Sequence, residues 1–327
     1  MAERSAISTV AQLGVETTSG TAVAADKLLS ALMIAPSIKS EVDEIGPQGY
    51  IFDTALALNR EWCEADLSGY PTYEELTYLL SSLILATTSS ASGTTGHKWT
   101  FAPTSTGGDT VKTYTVESGS ASRAGKFAYG LVDSLTLKWG RSGGVDLKGK
   151  MIGQRYTDGI TMTASPTAVA LTPITPGEID IYLDTTYGGL GGTKLTKVRQ
   201  AEWTFDGRWS PAWYLNTAST SFGGHTEIKP KSSLKIKATA DSTSMGWLTN
   251  LRAGDTLFAR IQGTGPQIGA GPAVNSLKAD MALQVHNVGK FEDDGGLYAI
   301  EWDFGVVHNA GWGKALSIEL INSLSTL

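Results

Sequence analysis

The chain has 327 residues, 41% of them hydrophobic and 18% charged, and its 38 glycines exceed the roughly 7% share of an average protein. That apolar share is enough for a real core, so global disorder is not expected, and no apolar run approaches the roughly 18 residues of a membrane span. Lys and Arg total 26 against 32 Asp and Glu, a formal charge of −6 with no dense basic cluster, which argues against tight binding of DNA or RNA through phosphate neutralisation.

The first residues, Met1-Ala2-Glu3-Arg4, lack the charged-then-apolar pattern of a secretory signal, and a single cysteine, Cys63, rules out an internal disulfide framework. Folding in a cytoplasm is the expectation. Residues 1–31 read as an arm. A strand over 32–44 leads into a Gly- and Pro-containing excursion, 45–57, and a second strand over 58–68. Pro71 and Thr72 open a helix over 73–83. Thr72 with Glu75 three residues on makes a capping-box pattern, and Leu76, Leu79, Leu80 and Leu83 make an apolar stripe that reads as core. A Gly/Ser/Thr-rich loop over 86–110 follows, then 131–139 and 145–154 alternate around a turn at 140–144 as a hairpin. Residues 158–197, with Pro166, Pro173 and Pro176, read as a linker.

The second half runs strand 198–209, excursion 210–230 and strand 231–240, whose Lys235 and Lys237 project from one solvated face. A helix over 243–252 is capped by Asp241 or Ser242, carries Met245, Leu248 and Leu251 as its stripe, and stops at Gly254. A loop over 262–276 and a hairpin of 277–288 with 297–307 complete it. The order of elements repeats that of the first half. The reading is a mainly β protein of two tandem modules, each with one flanking helix. Its divisions are an arm 1–31, a first module 32–157, a linker 158–197, a second module 198–309 and an arm 310–327.

Chemistry is sparse. Gly144 to Lys150 has the spacing of a phosphate loop, but Met151 stands where Ser or Thr would hold magnesium, and the motif sits in a hairpin. Gly263 and Gly265 lack the third glycine of a dinucleotide fingerprint. His97, His225, His286 and His308 are scattered without ligand spacing, and Glu292, Asp293 and Asp294 solvate a turn without the donor pattern of a calcium loop. Cys63, beside Trp62 in a strand, reads as a buried thiol. Glu61, Glu64 and Asp66 could form a hydrolytic pair only if held in a cleft. No catalytic, cofactor-binding or metal-binding residue is expected, and no enzymatic activity.

One stretch has a likeness. Gln12-Leu-Gly14-Val-Glu16 followed by Gly20, Thr21 and Ala22 resembles the opening of the major tail, or tail tube, proteins of long non-contractile-tailed bacteriophages (siphoviruses). Pro36 to Glu41, Gly46-Pro47-Gln48-Gly49 and the run Gly69-Tyr70-Pro71-Thr72-Tyr73-Glu74-Glu75-Leu76 are similar to that family too. The resemblance implies a β-sandwich or barrel module that closes into a ring by oligomerisation. It also implies rings stacked helically into a tube, a virion structural role in genome ejection, and synthesis in the host cytoplasm. The implied partners are further copies of the chain, other tail proteins (tape measure, terminator and distal tail proteins) and duplex DNA in transit, with no membrane. Two modules per chain point to a trimer with pseudo-sixfold symmetry, the alternative being a hexamer of one tube module plus a decoration domain.

Few strands per module leave sheet edges that neighbours would complete. The arms and excursions are expected to bridge rings, with contact residues Ile45, Gly46, Pro47, Gln48, Gly49, Tyr50, Ile51, Phe52 and Asp53 in the first excursion and Phe222, Gly223, Gly224 and His225 in the second. The acidic balance suggests a net acidic bore. A rival reading is an adhesin-like carbohydrate-binding sandwich with Trp203, Trp209 and Trp213 as its platform.

Overall fold

In the computed structural model residues 8–120, 122–141, 144–215 and 218–327 are described, so residues 1–7 of the expected arm, Ser142 and Gly143 of the expected turn, and residues 216–217 of the second excursion lie outside them. Strands make up 55% of the chain. In order they are β1 (Val10–Val15), β2 (Lys27–Leu29), β3 (Leu32–Ile45) and β4 (Ala55–Gly69), then helix α1 (Glu75–Leu83), β5 (Ser90–Ser92), β6 (Gly96–Phe101), β7 (Tyr114–Ser120), β8 (Arg123–Gly140) and β9 (Gly144–Gly153). β10 (Thr157–Ile160), β11 (Thr167–Ala168) and β12 (Ile179–Asp184) follow, then β13 (Val198–Asp206), β14 (Trp209–Ala212), β15 (Gly224–Glu227) and β16 (Lys231–Thr239). Helix α2 (Ser242–Ala253), β17 (Leu257–Gln267), β18 (Val274–Asp294), β19 (Leu297–Val306) and β20 (Leu316–Asn322) end the chain.

Hydrogen-bonded neighbours form a row of eight antiparallel strands, β3-β4-β9-β8-β13-β16-β19-β18. Every neighbour in the row is antiparallel. The β3–β4 connection and segment 207–230 therefore lie at one end, and the β8–β9 and β18–β19 turns, with the starts of both helices, lie at the other. β8 and β18 outrun the row. The first part of β8 pairs with β7 and β10, and β7 carries β1 and β2. The first part of β18 pairs with β17 and β20, which carry β12 and β6. The sheet does not close into a barrel.

Period-two alternation sets which residues face inward. Leu135, Leu137 and Trp139 of β8, Leu234, Ile236 and Ala238 of β16, and Trp302 and Phe304 of β19 are buried in one cluster with Leu13, Val116 and Ile318 of the second layer. Lys235 and Lys237 alternate out of it, as the sequence predicts. Both expected hairpins form, β8 with β9 and β18 with β19.

All nine residues of α1 are buried, which a Leu stripe alone does not foretell. The expected capping box forms only by half. Thr72 Oγ1 accepts from the Glu75 amide at 3.0 Å, whereas the Glu75 carboxylate accepts from the amides of Ser30 and Ala31. Asn322 Nδ2 donates to Tyr73 O and Thr77 Oγ1, the Tyr73 hydroxyl to Glu178, and Arg208 Nη1 to the carbonyls of Leu83 and Ile84. The helix thus ties the chain's last strand and its second half to its first. Helix α2 is as expected: Asp241 caps it in a full capping box with Ser244, and Gly254 closes it in the left-handed conformation. Several expectations change. Within the expected arm, β1 pairs with β2 and β7, and within the stretch read as a loop over 86–110, β5 pairs with β6 and β6 with β20. β17 runs to Gln267 and β18 begins at Val274, which narrows the loop read as 262–276 to 268–273. β20 lies within the segment read as a terminal arm yet is an interior strand between β18 and β6, and β12 within the linker pairs with β17.

Candidate functional site

β9 ends at Gly153, opposite Cys63, but β3 and β4 continue together through seven more registered pairs, from Lys39–Trp62 to Ile45–Ala55. Ile45 and residues 55–57 of the excursion read as 45–57 are thus paired ribbon, and its tip is 46–54. At about 3.3 Å per residue the ribbon runs about 20 Å beyond β9. A turn closed by Tyr50 N–H donating to Pro47 O caps it, with Gly49 at φ +87°, a conformation that favours glycine. Tyr50, Ile51 and Phe52 are 70, 92 and 82% exposed, and Val42, Ile45, Leu56 and Leu58 are exposed beside them. These apolar side chains have no cover from the rest of the chain, on a ribbon of only two strands.

The base of this arm is braced from the second half. Thr220 O accepts from the Glu61 amide, Thr220 Oγ1 donates to Glu61, and Arg155 pairs with Glu61 at 3.3 Å. The Arg60 guanidinium lies 4.9 Å from the centre of the Trp213 ring and pairs with Glu41. The second excursion folds back, its β14 and β15 forming a small hairpin. Phe222 is 1% exposed against Tyr129 and Trp213, so its side chain is internal instead of offered to a neighbour. His225 is half-buried, with Nδ1 2.9 Å from the Tyr129 hydroxyl and its ring against Trp209, and burial lowers its pKa. Gly223 and Gly224 sit beside Tyr214 on that hairpin.

The two end strands of the row form a second surface. Among the described residues, β3 from Ala35 onward and β18 from Gln284 onward are each registered with one strand only. Ile38 on β3 is 63% exposed, and Phe291 on β18 is stacked on Tyr298 in the open. The polar face of the row alternates in sign across the strands. Asp146, Lys138, Glu202, Lys235 and Asp303 stand side by side in register, and Asp66 stands opposite Lys150. Lys237 is held protonated by its hydrogen bond to Glu292, and Asp294 is held ionised by Arg199.

No family model matches this chain, and no curated protein matches it.

The rival chemistries meet local obstacles. Glu61 and Asp66 are an odd number of positions apart on β4, so the pleat sends them to opposite faces. Trp203 and Trp209 are buried core, and Trp213 is covered by Arg60 and Trp62. Cys63 is buried, and desolvation pushes its thiol up to about 12. Among the described residues no group of three His, Cys, Asp or Glu is placed to hold a metal ion. Two features escaped sequence reasoning. Arg208, fully buried, pairs with Asp109 and Glu227 and joins the 102–113 loop to the second half; an isolated Arg in a polar stretch carries no signal of that. Buried Glu16 accepts from Gly20 N, Tyr129 N, Thr113 Oγ1 and Thr115 Oγ1, which gives a structural reason for the Glu16-to-Gly20 motif.

Proposed function

We propose that the chain is a tube subunit of the kind found in long non-contractile phage tails. Three copies join edge to edge into a ring, rings stack through the β3–β4 arms, and duplex DNA passes through the bore. The observation that carries this reading is the pair of bare edges at the ends of a sheet whose middle already contains a join of the sort they need.

The row reads as two sets of four, β3-β4-β9-β8 and β13-β16-β19-β18, each with a helix after its second strand. The sets meet where β8 pairs with β13, Leu137 opposite Trp203 and Leu135 opposite Phe205. Trp203, paired with Leu234, is buried by that join, while Ile38, at the matching place opposite Cys63, is bare. If β18 of one copy meets β3 of the next as β8 meets β13, both edges are removed. Matching Leu135–Gly149–Leu67 to Phe291–Ile300–Ala238 sets Phe291 opposite Ser40 of the neighbour. Three copies of eight strands give a closed inner sheet of 24, and such cyclic closure leaves only the axial faces for growth.

The core and both helices cover one face of the row, so its polar face lines the bore. That face alternates Lys with Asp and Glu. The expected net acidic wall gives way to a charge-compensated one, which offers DNA phosphates neither a grip nor a strong barrier. The resemblance of residues 12–25 and 69–76 to tail tube proteins supports the same role.

The test is oxidative cross-linking of a Ser40→Cys/Phe291→Cys variant. The reading predicts interchain dimers and trimers on a non-reducing gel. A variant that forms assemblies yet cross-links no neighbour would refute the closure.

A further inference from the structure

A cavity of about 310 Å³ lies at the turn end of the row, where β8 and β13 join. Its floor includes Trp139, Ile179, Leu195 and Val198, and its rim carries Arg141, Lys194 and Arg199. Lys194 is paired with Asp180 and Arg199 with Asp294, which leaves these five charged groups with one net positive charge. The volume is at the bottom of the range of small-molecule pockets, and the lining has no convergent set of polar groups aimed at a ligand. The arm tip, at the opposite end of the same sheet, has the complementary character. Glu41 is paired with Arg60, but residues 42–59 hold Asp43, Glu44 and Asp53 with no Lys or Arg, and Tyr50, Ile51 and Phe52 lead the tip.

We propose that this cavity is the socket for the arm tip of a second copy of the chain, with the Tyr50–Phe52 side chains over the Trp139 floor and the acidic flank facing Arg141 and Lys194. Tip and socket lie at opposite ends of the row, so the contact is head-to-tail and cannot close on itself; it propagates along one axis. The inference rests on the stacked-ring reading above and adds the surface that receives the arm.

Two exposed positions test it. Ile51→Cys and Thr196→Cys are prepared as separate full-length proteins, mixed, assembled and oxidised; the native Cys63 is buried and does not compete. The expected result is a cross-linked dimer in the mixture and none in either protein alone. Tubes that form by electron microscopy without the mixed cross-link overturn the socket and leave the tube reading standing. Absence of both tubes and cross-link in wild type and variants overturns both. Cross-linking of Ile51→Cys with itself would mean tips meeting tips and also overturns the socket. As a second measure, Arg141→Glu is expected to raise the concentration needed for stacking about tenfold, and Asp53→Lys in the same chain to restore it; no change on either substitution counts against the proposal.

Discussion

Buried charges at three residues organise the join between distant parts of the chain. Glu16 satisfies four donors from three segments, and Glu16→Ala leaves them without an acceptor in a buried site. A loss of about 3 kcal/mol is expected, read as a lower urea midpoint. Arg208→Met strands Asp109 inside the protein, and a loss of about 3–5 kcal/mol is expected by the same measurement. Glu75 works in the other direction. Burial raises its pKa, the amides of Ser30 and Ala31 oppose that rise, and its Oε2 has no partner. A raised carboxyl favours the protonated folded state, so its contribution is fully present below the ordinary carboxylate range and is lost as pH rises through the raised value. Glu75→Gln is therefore expected to be more stable than wild type at neutral pH, with the difference vanishing toward pH 4 in thermal melts taken across that range. The motif around Glu16 was legible as a pattern, but its meaning was not, because its partners at 113, 115 and 129 lie far along the chain.

Elements with local signals were read well, and those made by distant pairing were not. Helix α2 has its cap and its left-handed stop within fourteen residues, both visible in the sequence, while the return bond to Ser244 that completes its capping box was not read. Asp241→Ala is expected to cost about 1 kcal/mol, seen as a lower melting temperature with unchanged strand content by circular dichroism. β20 was missed because its neighbours, β18 and β6, are some 40 and 220 residues away, and a short apolar run near a terminus looks the same whether paired or free. The β3–β4 arm shows the limit of periodicity. Its glycine and proline marked a break, yet pairing continues to Ile45 and Ala55. Replacing residues 46–54 with a two-residue Asn-Gly turn is expected to leave a folded protein with a wild-type melting temperature, since Tyr50, Ile51 and Phe52 are exposed, while tube formation by electron microscopy is lost. Normal tubes from that variant would remove the arm from the stacking contact.

For the whole molecule, the mainly β character, both helices and the two hairpins were legible in the sequence, but the register of β8 with β13 was not, and the proposed assembly starts from that join. The row of eight strands ends on β3 and on the last part of β18, each registered on one side only among the described residues; β18 bears register shifts between Val285 and Asn287 and between Val288 and Phe291, and the β3–β4 pair one between Glu41 and Val42. The single proline on β3, Pro36, sits near its start. A cryo-electron microscopy map of the assembled protein tests this most directly. The account predicts rings of three copies in which the 284–294 stretch of each chain runs antiparallel beside the 35–45 stretch of the next, around an open bore lined by Lys138, Glu202 and Lys235. Rings of another copy number with β3 unpaired, or a protein that stays monomeric at every concentration, would contradict it.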